Sequence, residues 1–173
     1  LRIIIIFLSI CFIIFLSYQL FNFYTFNKIQ NNSISFFKAQ NFEKQDIFQD
    51  SIIQLSKKNN FYGILSKLEL IRINVQNNDY EYAINKYKEL LKIKNLDTIY
   101  KSAIASKASY QFIDINFNDL SKNYSEIIKF FISVIDENLI NYQVIKLELS
   151  YLVSILEAEK NNIKYSNNTE AID

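Results

Sequence analysis

The sequence contains no histidine, proline, methionine or tryptophan, and only one glycine and one cysteine among 173 residues. Each absence excludes chemistry. Without histidine there is no imidazole acid–base catalyst, no His–Ser or His–Cys nucleophile pair and no imidazole metal ligand. A single cysteine builds neither an intrachain disulfide nor a thiolate zinc cage. A single glycine cannot form a phosphate-cradling loop or a dinucleotide fingerprint. Lys+Arg 19 against Asp+Glu 18 leaves a net charge of +1, without the basic excess of a nucleic-acid binder, so no nucleic acid is expected as partner. Tight hairpins would rest on Asn and Asp alone, and helices joined by short polar turns are the easier solution.

What the chain has instead is apolar and aromatic residues, with Ile, Lys, Asn, Phe and Tyr abundant. All five are encoded by A/T-rich codons. Sequons such as Asn31-Asn32-Ser33, Asn123-Tyr124-Ser125 and Asn167-Asn168-Thr169 are expected by chance in such a composition and carry no weight as glycosylation sites.

From Ile3 to Phe21 the only polar residues are Ser9, Ser17 and Gln19. A bilayer core of ~30 Å takes ~20 mostly apolar residues in a helix, and this run has that length. Tyr18, Phe21, Phe23, Tyr24 and Phe26 gather at its C-terminal edge, as in an interfacial aromatic belt. Residues 1–27 are therefore expected to be a transmembrane anchor, with residues 3–26 in contact with lipid. A cleaved signal peptide fits poorly, because Leu20-Phe21-Asn22-Phe23 offers no small residues for processing. Leu8-Ser9-Ile10-Cys11 is not a lipoprotein signal, since Ile10 stands where a small residue is needed; Cys11 is expected simply to face lipid. Arg2 before the span and Lys28 after it tie the positive-inside count, and a cytoplasmic N-terminus is the preferred orientation.

Residues 28–160 carry apolar patterns with a period near 3.6, which predicts helices throughout. Ile34, Phe37 and Phe42 continue the anchor helix. Phe48, Ile52 and Leu55 mark the next. Phe61, Leu65, Leu68, Ile71 and Val75 follow, then Tyr80, Ala83, Ile84, Tyr87 and Leu91. Leu96, Ile99, Ala103, Tyr110 and Ile113 form one more stripe, and Leu120, Tyr124, Ile127, Ile128, Phe131 and Ile135 another. The last helix has two stripes, Ile140, Val144, Leu147, Tyr151, Ile155 and Ile145, Leu149, Leu152, Leu156, which predicts packing on two sides. The breaks are short and polar, Asp79 and Asp119 suit N-caps, and connections of two to four residues favour antiparallel neighbours. Residues 161–173 have no apolar period and are expected to form a disordered tail. The expected fold class is all-α: a transmembrane helix followed by a right-handed stack of antiparallel helical hairpins.

The run Asn78-Asp79-Tyr80-Glu81-Tyr82-Ala83-Ile84-Asn85-Lys86-Tyr87 resembles the second helix of a tetratricopeptide repeat. An aromatic follows the turn, a small residue comes three positions later, and another aromatic four beyond it. Tyr80 would fill the seam with the preceding helix, Ala83 would let the two helices cross closely, and Tyr87 would face the next repeat. Leu70 falls at the repeat's leucine position. Ile71, Lys67 and Leu90 depart from the pattern, and no terminal proline follows, so the repeat is degenerate.

With the anchor, the Phe36, Phe37, Ala39 segment, the helix start Phe61-Tyr62-Gly63-Ile64-Leu65 and the helix bearing Ala103, Ala105 and Ala108, the layout from Ile3 to Ile113 resembles the family of the ancillary SecYEG translocon subunit and the cell-division-coordinator-type tetratricopeptide domain. The resemblance implies a single-pass bacterial inner-membrane protein with a periplasmic helical domain. It also implies the secretion translocon, periplasmic chaperones or client proteins as partners.

Catalysis would have to rest on Asp, Glu, Lys, Tyr or Ser. Glu157 and Glu159 point to different sides of a helix, as do Asp79 and Glu81, so neither pair can share a proton. Glu69 with Arg72 and Lys86 with Glu89 have the spacing of ordinary surface pairs. No catalytic residue, metal ligand or cofactor is expected. The aromatic surplus points to binding, because stacked helical hairpins present a concave face built from the first helix of each pair. The candidate face is Tyr62, Leu65, Tyr100, Lys107 and Tyr110, where rings can bury the apolar side chains of a peptide and Tyr hydroxyls can orient it.

Three functions stay open at this point. A membrane-tethered recruiter of a protein partner should show an exposed groove. A structural subunit of a larger membrane complex should show a contiguous apolar patch. An enzyme with a carboxylate site should show a deep pocket with converging acids.

Overall fold

Residues 2–40, 45–58 and 60–169 are described by a computed structural model. Among them there are seven helices and no strand: α1 (Arg2–Gln40), α2 (Gln45–Ser56), α3 (Phe61–Gln76), α4 (Tyr80–Leu91), α5 (Thr98–Asn118), α6 (Ser125–Val134) and α7 (Ile140–Thr169). Phe42 and Asn59 lie outside the described residues. The chain divides into two compact units, Leu1–Leu70 and Ile71–Asp173, with the division inside α3.

In the first unit α1 is continuous through residue 27, where the anchor was expected to end. Its 39 residues span about 58 Å, nearly twice a bilayer core. Among the described residues one helix, from Ile10 to Gln40, is long and apolar enough to cross a membrane. Ile10 to Tyr24 are exposed on every side of it, the pattern of a helix that nothing in its own chain covers.

Beyond that stretch α1 acquires a buried face. Asn32, Phe36 and Ala39, at i, i+4 and i+7, turn towards α2, where Ile52 and Leu55 meet them. Asn32 accepts from the Lys58 ammonium. Gly63 sits near the start of α3, its N–H bonded to Asn60 Oδ1 at 2.9 Å. A Cβ there would lie 1.9 Å from the Lys58 carbonyl oxygen. The only glycine is thus fixed by a close backbone approach.

The second unit is organised around α5, which packs against α4, α6 and α7. The turn into α4 shows how the sequence builds it. Asn78 adopts φ 62, the left-handed position that closes a helix. Its N–H bonds the Val75 carbonyl at 3.0 Å, and the Asp79 N–H bonds the Asn74 carbonyl at 2.8 Å. Asp79 then N-caps α4 by accepting from the Tyr82 N–H at 3.1 Å, as expected from the sequence.

Asp119 is not the N-cap of α6. It is the C-cap of α5, and its carboxylate accepts from the Ser121 N–H at 3.2 Å, forming an Asx turn. Six irregular residues separate α5 from α6, so Leu120 and Tyr124 precede the helix they were expected to join. Asp97, unremarked in the sequence, caps α5 by accepting from the Ile99 N–H at 2.9 Å.

The core of this unit is mostly aliphatic, with a cluster of aromatic rings within it. Tyr87, Phe112 and Phe131 are fully buried. Tyr87 meets Phe131 edge-on at 5.8 Å, Phe112 stacks on Phe131 at 6.1 Å, and Tyr124 closes on Phe112 at 5.2 Å. Such geometries add to the area each ring buries. Ala83 beside them is completely covered.

Two stripes differ from expectation. In α5, Ile99 and Ala103 are exposed, whereas Ser102, Ala105, Ser106, Ala108 and Ser109 form the buried face. The hydroxyls of Ser106 and Ser109 donate to the carbonyls four residues back, at 2.8 and 2.9 Å, so they enter the core already satisfied. Ser102 accepts from the Asp136 N–H at 3.0 Å, satisfying backbone after α6. Small residues there let three helices approach α5.

In α7, Leu149, Val153 and Leu156 are buried, but Ile140, Val144, Leu147 and Tyr151 are 66–80% exposed. The helix packs on one side only within its unit. α7 also continues to Thr169, so helix covers 161–169, where a disordered tail was expected. Extending an established helix costs no new nucleation, and polar residues then suffice.

Candidate functional site

The five residues expected to form a partner-binding face fall into two groups. Tyr62 and Leu65, near the start of α3, are half-buried in the first unit and pack against the cluster of Phe36, Ala39, Ile52, Leu55 and Leu70. The Tyr62 ring lies 6.1 Å from Phe36 and meets Phe61 edge-on at 5.5 Å. Much of their apolar surface is engaged there.

Tyr100, Lys107 and Tyr110 lie in the second unit on α5, spaced by seven and three residues, and therefore share one face of that helix. This face is opposite the buried Ser and Ala side. Tyr100 is 49% exposed, Lys107 is exposed and Tyr110 is half-buried. Burial first, and then its hydrogen bond to Glu148 of α7, hold the Tyr110 phenol above its ordinary range, so it stays a neutral donor to that carboxylate. Asp114 is exposed one turn further on. Two rings, one ammonium and one carboxylate thus follow one another along some four turns.

Three contacts set the direction of the surrounding helices. Ser102 near the start of α5 meets Asp136 just before α7, Tyr110 lies beside Glu148, and the Lys160 ammonium of α7 reaches the Asn116 side chain near the end of α5 and the Lys122 carbonyl just beyond it. α5 and α7 therefore run the same way, and α6 returns between them. α6 is tied to α7 by the Lys129–Glu157 ion pair at 2.7 Å.

The residues that carry the repeat pattern are placed as follows. Leu70 is buried in the first unit. Ala83 and Tyr87 are fully buried in the second, Tyr87 towards α5 and α6. Tyr80 packs edge-on against Tyr124 at 6.1 Å, under the Lys122 ammonium at 4.3 Å, with its hydroxyl donating to Asn78 Oδ1 at 2.6 Å. Its ring therefore works against the loop before α6, a longer-range partner than the seam with the preceding helix.

Two surface depressions accompany these faces. One of about 300 Å³ in the first unit is lined by Ser35, Lys38, Ser51, Gln54, Leu55 and Lys58. Another, about 490 Å³ along α4, is lined by Tyr82, Asn85, Lys86, Lys88, Glu89 and Lys92. Acids do not converge in either: the first lining has none, and in the second Glu89 is held by Lys86 at 2.8 Å. Among the described residues no three His, Cys, Asp or Glu side chains gather as metal ligands would.

Sequence reasoning found the Ile140, Val144, Leu147, Tyr151 stripe of α7 but expected it to be packed, and it is exposed. Its signal was the doubled apolar pattern, which gave two faces but not which of them the fold would cover. Compared with models of protein families, with curated proteins and with solved structures, the chain matches none.

Proposed function

We propose that the chain is a membrane-tethered, non-catalytic protein–protein interaction module with a degenerate tetratricopeptide-like solenoid. α1 anchors it in a bacterial inner membrane with the N-terminus cytoplasmic. The helical part stands in the periplasm, where it assists protein translocation or recruits periplasmic chaperones. The observation that carries this proposal is the row Tyr100, Lys107, Tyr110 on α5, exposed at its first two members and half-buried at the third, on a helix that runs parallel to α7 with α6 reversed between them. Parallel first helices with a return helix between them are what repeat stacking requires. The rings offer apolar contact area to a peptide and Lys107 offers a charge partner to an acidic residue of it. Tethering supplies a high local concentration, so modest affinity suffices.

The test is site-specific photocrosslinking from position 100 in intact membranes, with capture and identification of the adduct. Translocon subunits, chaperones or nascent clients are the expected catch. Protease access in spheroplasts should find the helical part accessible from outside; protection there refutes the topology.

A second function, a structural subunit of a larger membrane assembly, is favoured by one observation, the uncovered apolar stripe of α7. Capture of a fixed-stoichiometry complex unrelated to secretion would move the assignment to it.

A further inference from the structure

The α7 stripe has the form of a coiled-coil seam. Ile140, Val144, Leu147 and Tyr151 repeat with spacings of four, three and four, so they occupy successive d, a, d and a positions of a heptad. A branched residue at a with leucine at the next d favours two strands. Leu149, Val153 and Leu156 fill the opposite, core-facing positions of the same heptads and are buried. The seam therefore stands free of the unit's own packing. Terminal elements of helical stacks need a polar outer face to stay soluble, and this one is apolar.

We infer that a second copy of this chain covers the stripe, with α7 packing on α7 about a two-fold axis. Three observations select that occupant. The seam is self-complementary, as an isologous contact must be. At 80, 68, 72 and 66% exposure, Ile140, Val144, Leu147 and Tyr151 offer at most about 600 Å² per chain, hence at most about 1,200 Å² for a pair, which reaches the lower end of the range of specific interfaces. The flanking positions are Asn141, Gln143, Glu148 and Ser150, which set a single formal charge beside the seam, and Glu148 lies beside Tyr110. Like-charge repulsion is therefore small. The same flanks disfavour the bilayer as occupant, because interfacial helices carry Lys and Arg beside their apolar face.

The inference does not rest on the proposed function: Tyr100 and Lys107 take no part in the seam, which the α5 row meets only where Tyr110 lies beside the flanking Glu148. The experiment is the mass of the full chain in detergent, by light scattering corrected for the micelle, for wild type and for Val144→Glu/Leu147→Glu. Both positions are solvent-exposed, so the double substitution removes no core contact and the helical circular dichroism and melting should be unchanged. The wild type should have the mass of a dimer and the double variant half of it. Cysteine crosslinking gives a second readout: in a Cys11→Ser background, Leu147→Cys should form a covalent dimer on oxidation, and Ser133→Cys on the exposed side of α6 should not. A monomeric wild type overturns the inference and leaves the stripe to another protein or to lipid. A dimer that survives Val144→Glu/Leu147→Glu also overturns it, and places self-association elsewhere on the chain. In neither case is photocrosslinking from position 100 affected.

Discussion

The Tyr87 hydroxyl on α4 donates to Oε1 of Gln111 on α5 at 2.7 Å, from a ring that is otherwise sealed against Phe131. This contact ties the repeat-like helix to the central helix of its unit, within the wider packing of α4 on α5. The ring and the hydroxyl contribute separately. Tyr87→Phe keeps the ring and removes the hydrogen bond, and should destabilise by about 1 kcal/mol. Tyr87→Ala also opens a cavity and should cost about 3–5 kcal/mol. Urea unfolding of the two variants in detergent, followed by circular dichroism, separates these terms. Equal losses for both would show that the ring packs loosely.

The same tyrosine gives a pH signature. Burial raises its phenol far above the ordinary value of 10.0. A group raised in the folded state stabilises fully below its unfolded value, and that contribution is lost as pH climbs beyond it. Wild-type stability should therefore fall from pH 10.0 upwards, where the unfolded chain starts to release the proton that the fold retains. Tyr87→Phe lacks this proton. The stability gap between wild type and Tyr87→Phe should narrow above that pH, by up to about 1.4 kcal/mol per pH unit. A constant gap would mean that water reaches the hydroxyl.

How much was legible in advance varies along the chain. Apolar period alone gave the helices near their observed places, because each is long enough for its phase to be read. The turn before α4 was legible through its capping Asp79, which does its work within one helical turn, whereas the left-handed Asn78 emerged only from the structure. Asp119 misled for a related reason. The carboxylate that would cap a following helix serves equally well in an Asx turn, and only the distance to Ser125 decides between them.

The α5 face was misphased because serine counts as polar in a periodicity, although Ser106 and Ser109 spend their donors on their own helix and pack like small apolar residues. On α7 both stripes were visible in the sequence. Which one faced the core was set by the position of α5 and α6, a relation that no local pattern carries. The split of Tyr62 and Leu65 from Tyr100, Lys107 and Tyr110 between two units is non-local in the same way.

Gly63→Ala tests the close approach in the first unit. The added Cβ would meet the Lys58 carbonyl oxygen at 1.9 Å and its carbon at 2.8 Å, both backbone atoms that no rotamer change can move. Alanine's better helix propensity returns only about 1 kcal/mol. The net expectation is a loss of about 2 kcal/mol or more, with displacement of α3's first turn. Thermal melting together with protease sensitivity of residues 56–60 measures it, and an unchanged melting point would refute the approach.

At the α3–α4 turn, Asn78 carries φ 62. Asn78→Gly removes the side chain's contact with the Tyr80 hydroxyl but relaxes the backbone, so its stability should lie within about 0.5 kcal/mol of wild type. Asn78→Val places a branched Cβ in the same conformation and should cost about 1–2 kcal/mol. The difference between the two variants in chemical denaturation isolates the left-handed residue from its hydrogen bond.

The α5 row carries the proposed docking function, and its substitutions must separate binding from folding. Tyr100 is half exposed and Lys107 exposed, and neither belongs to the buried aromatic cluster of Tyr87, Phe112 and Phe131. Tyr100→Ala with Lys107→Glu should therefore leave melting within about 0.5 kcal/mol of wild type, the range of ordinary surface changes. Partner capture in membranes should fall by roughly tenfold or more. A buried ring is worth about 1–2 kcal/mol or more at an interface, and reversing a charge that meets an acidic residue adds repulsion to the lost attraction.

Lys107→Ala is the instructive intermediate, removing attraction without repulsion, and should fall between the two. Asp114→Lys, one turn beyond Tyr110, should raise capture of an acidic partner and lower that of a basic one, so its direction reports the partner's charge. If Tyr100→Ala/Lys107→Glu retains full capture with unchanged stability, the docking surface lies elsewhere on the chain, and the uncovered stripe of α7 becomes the first place to look.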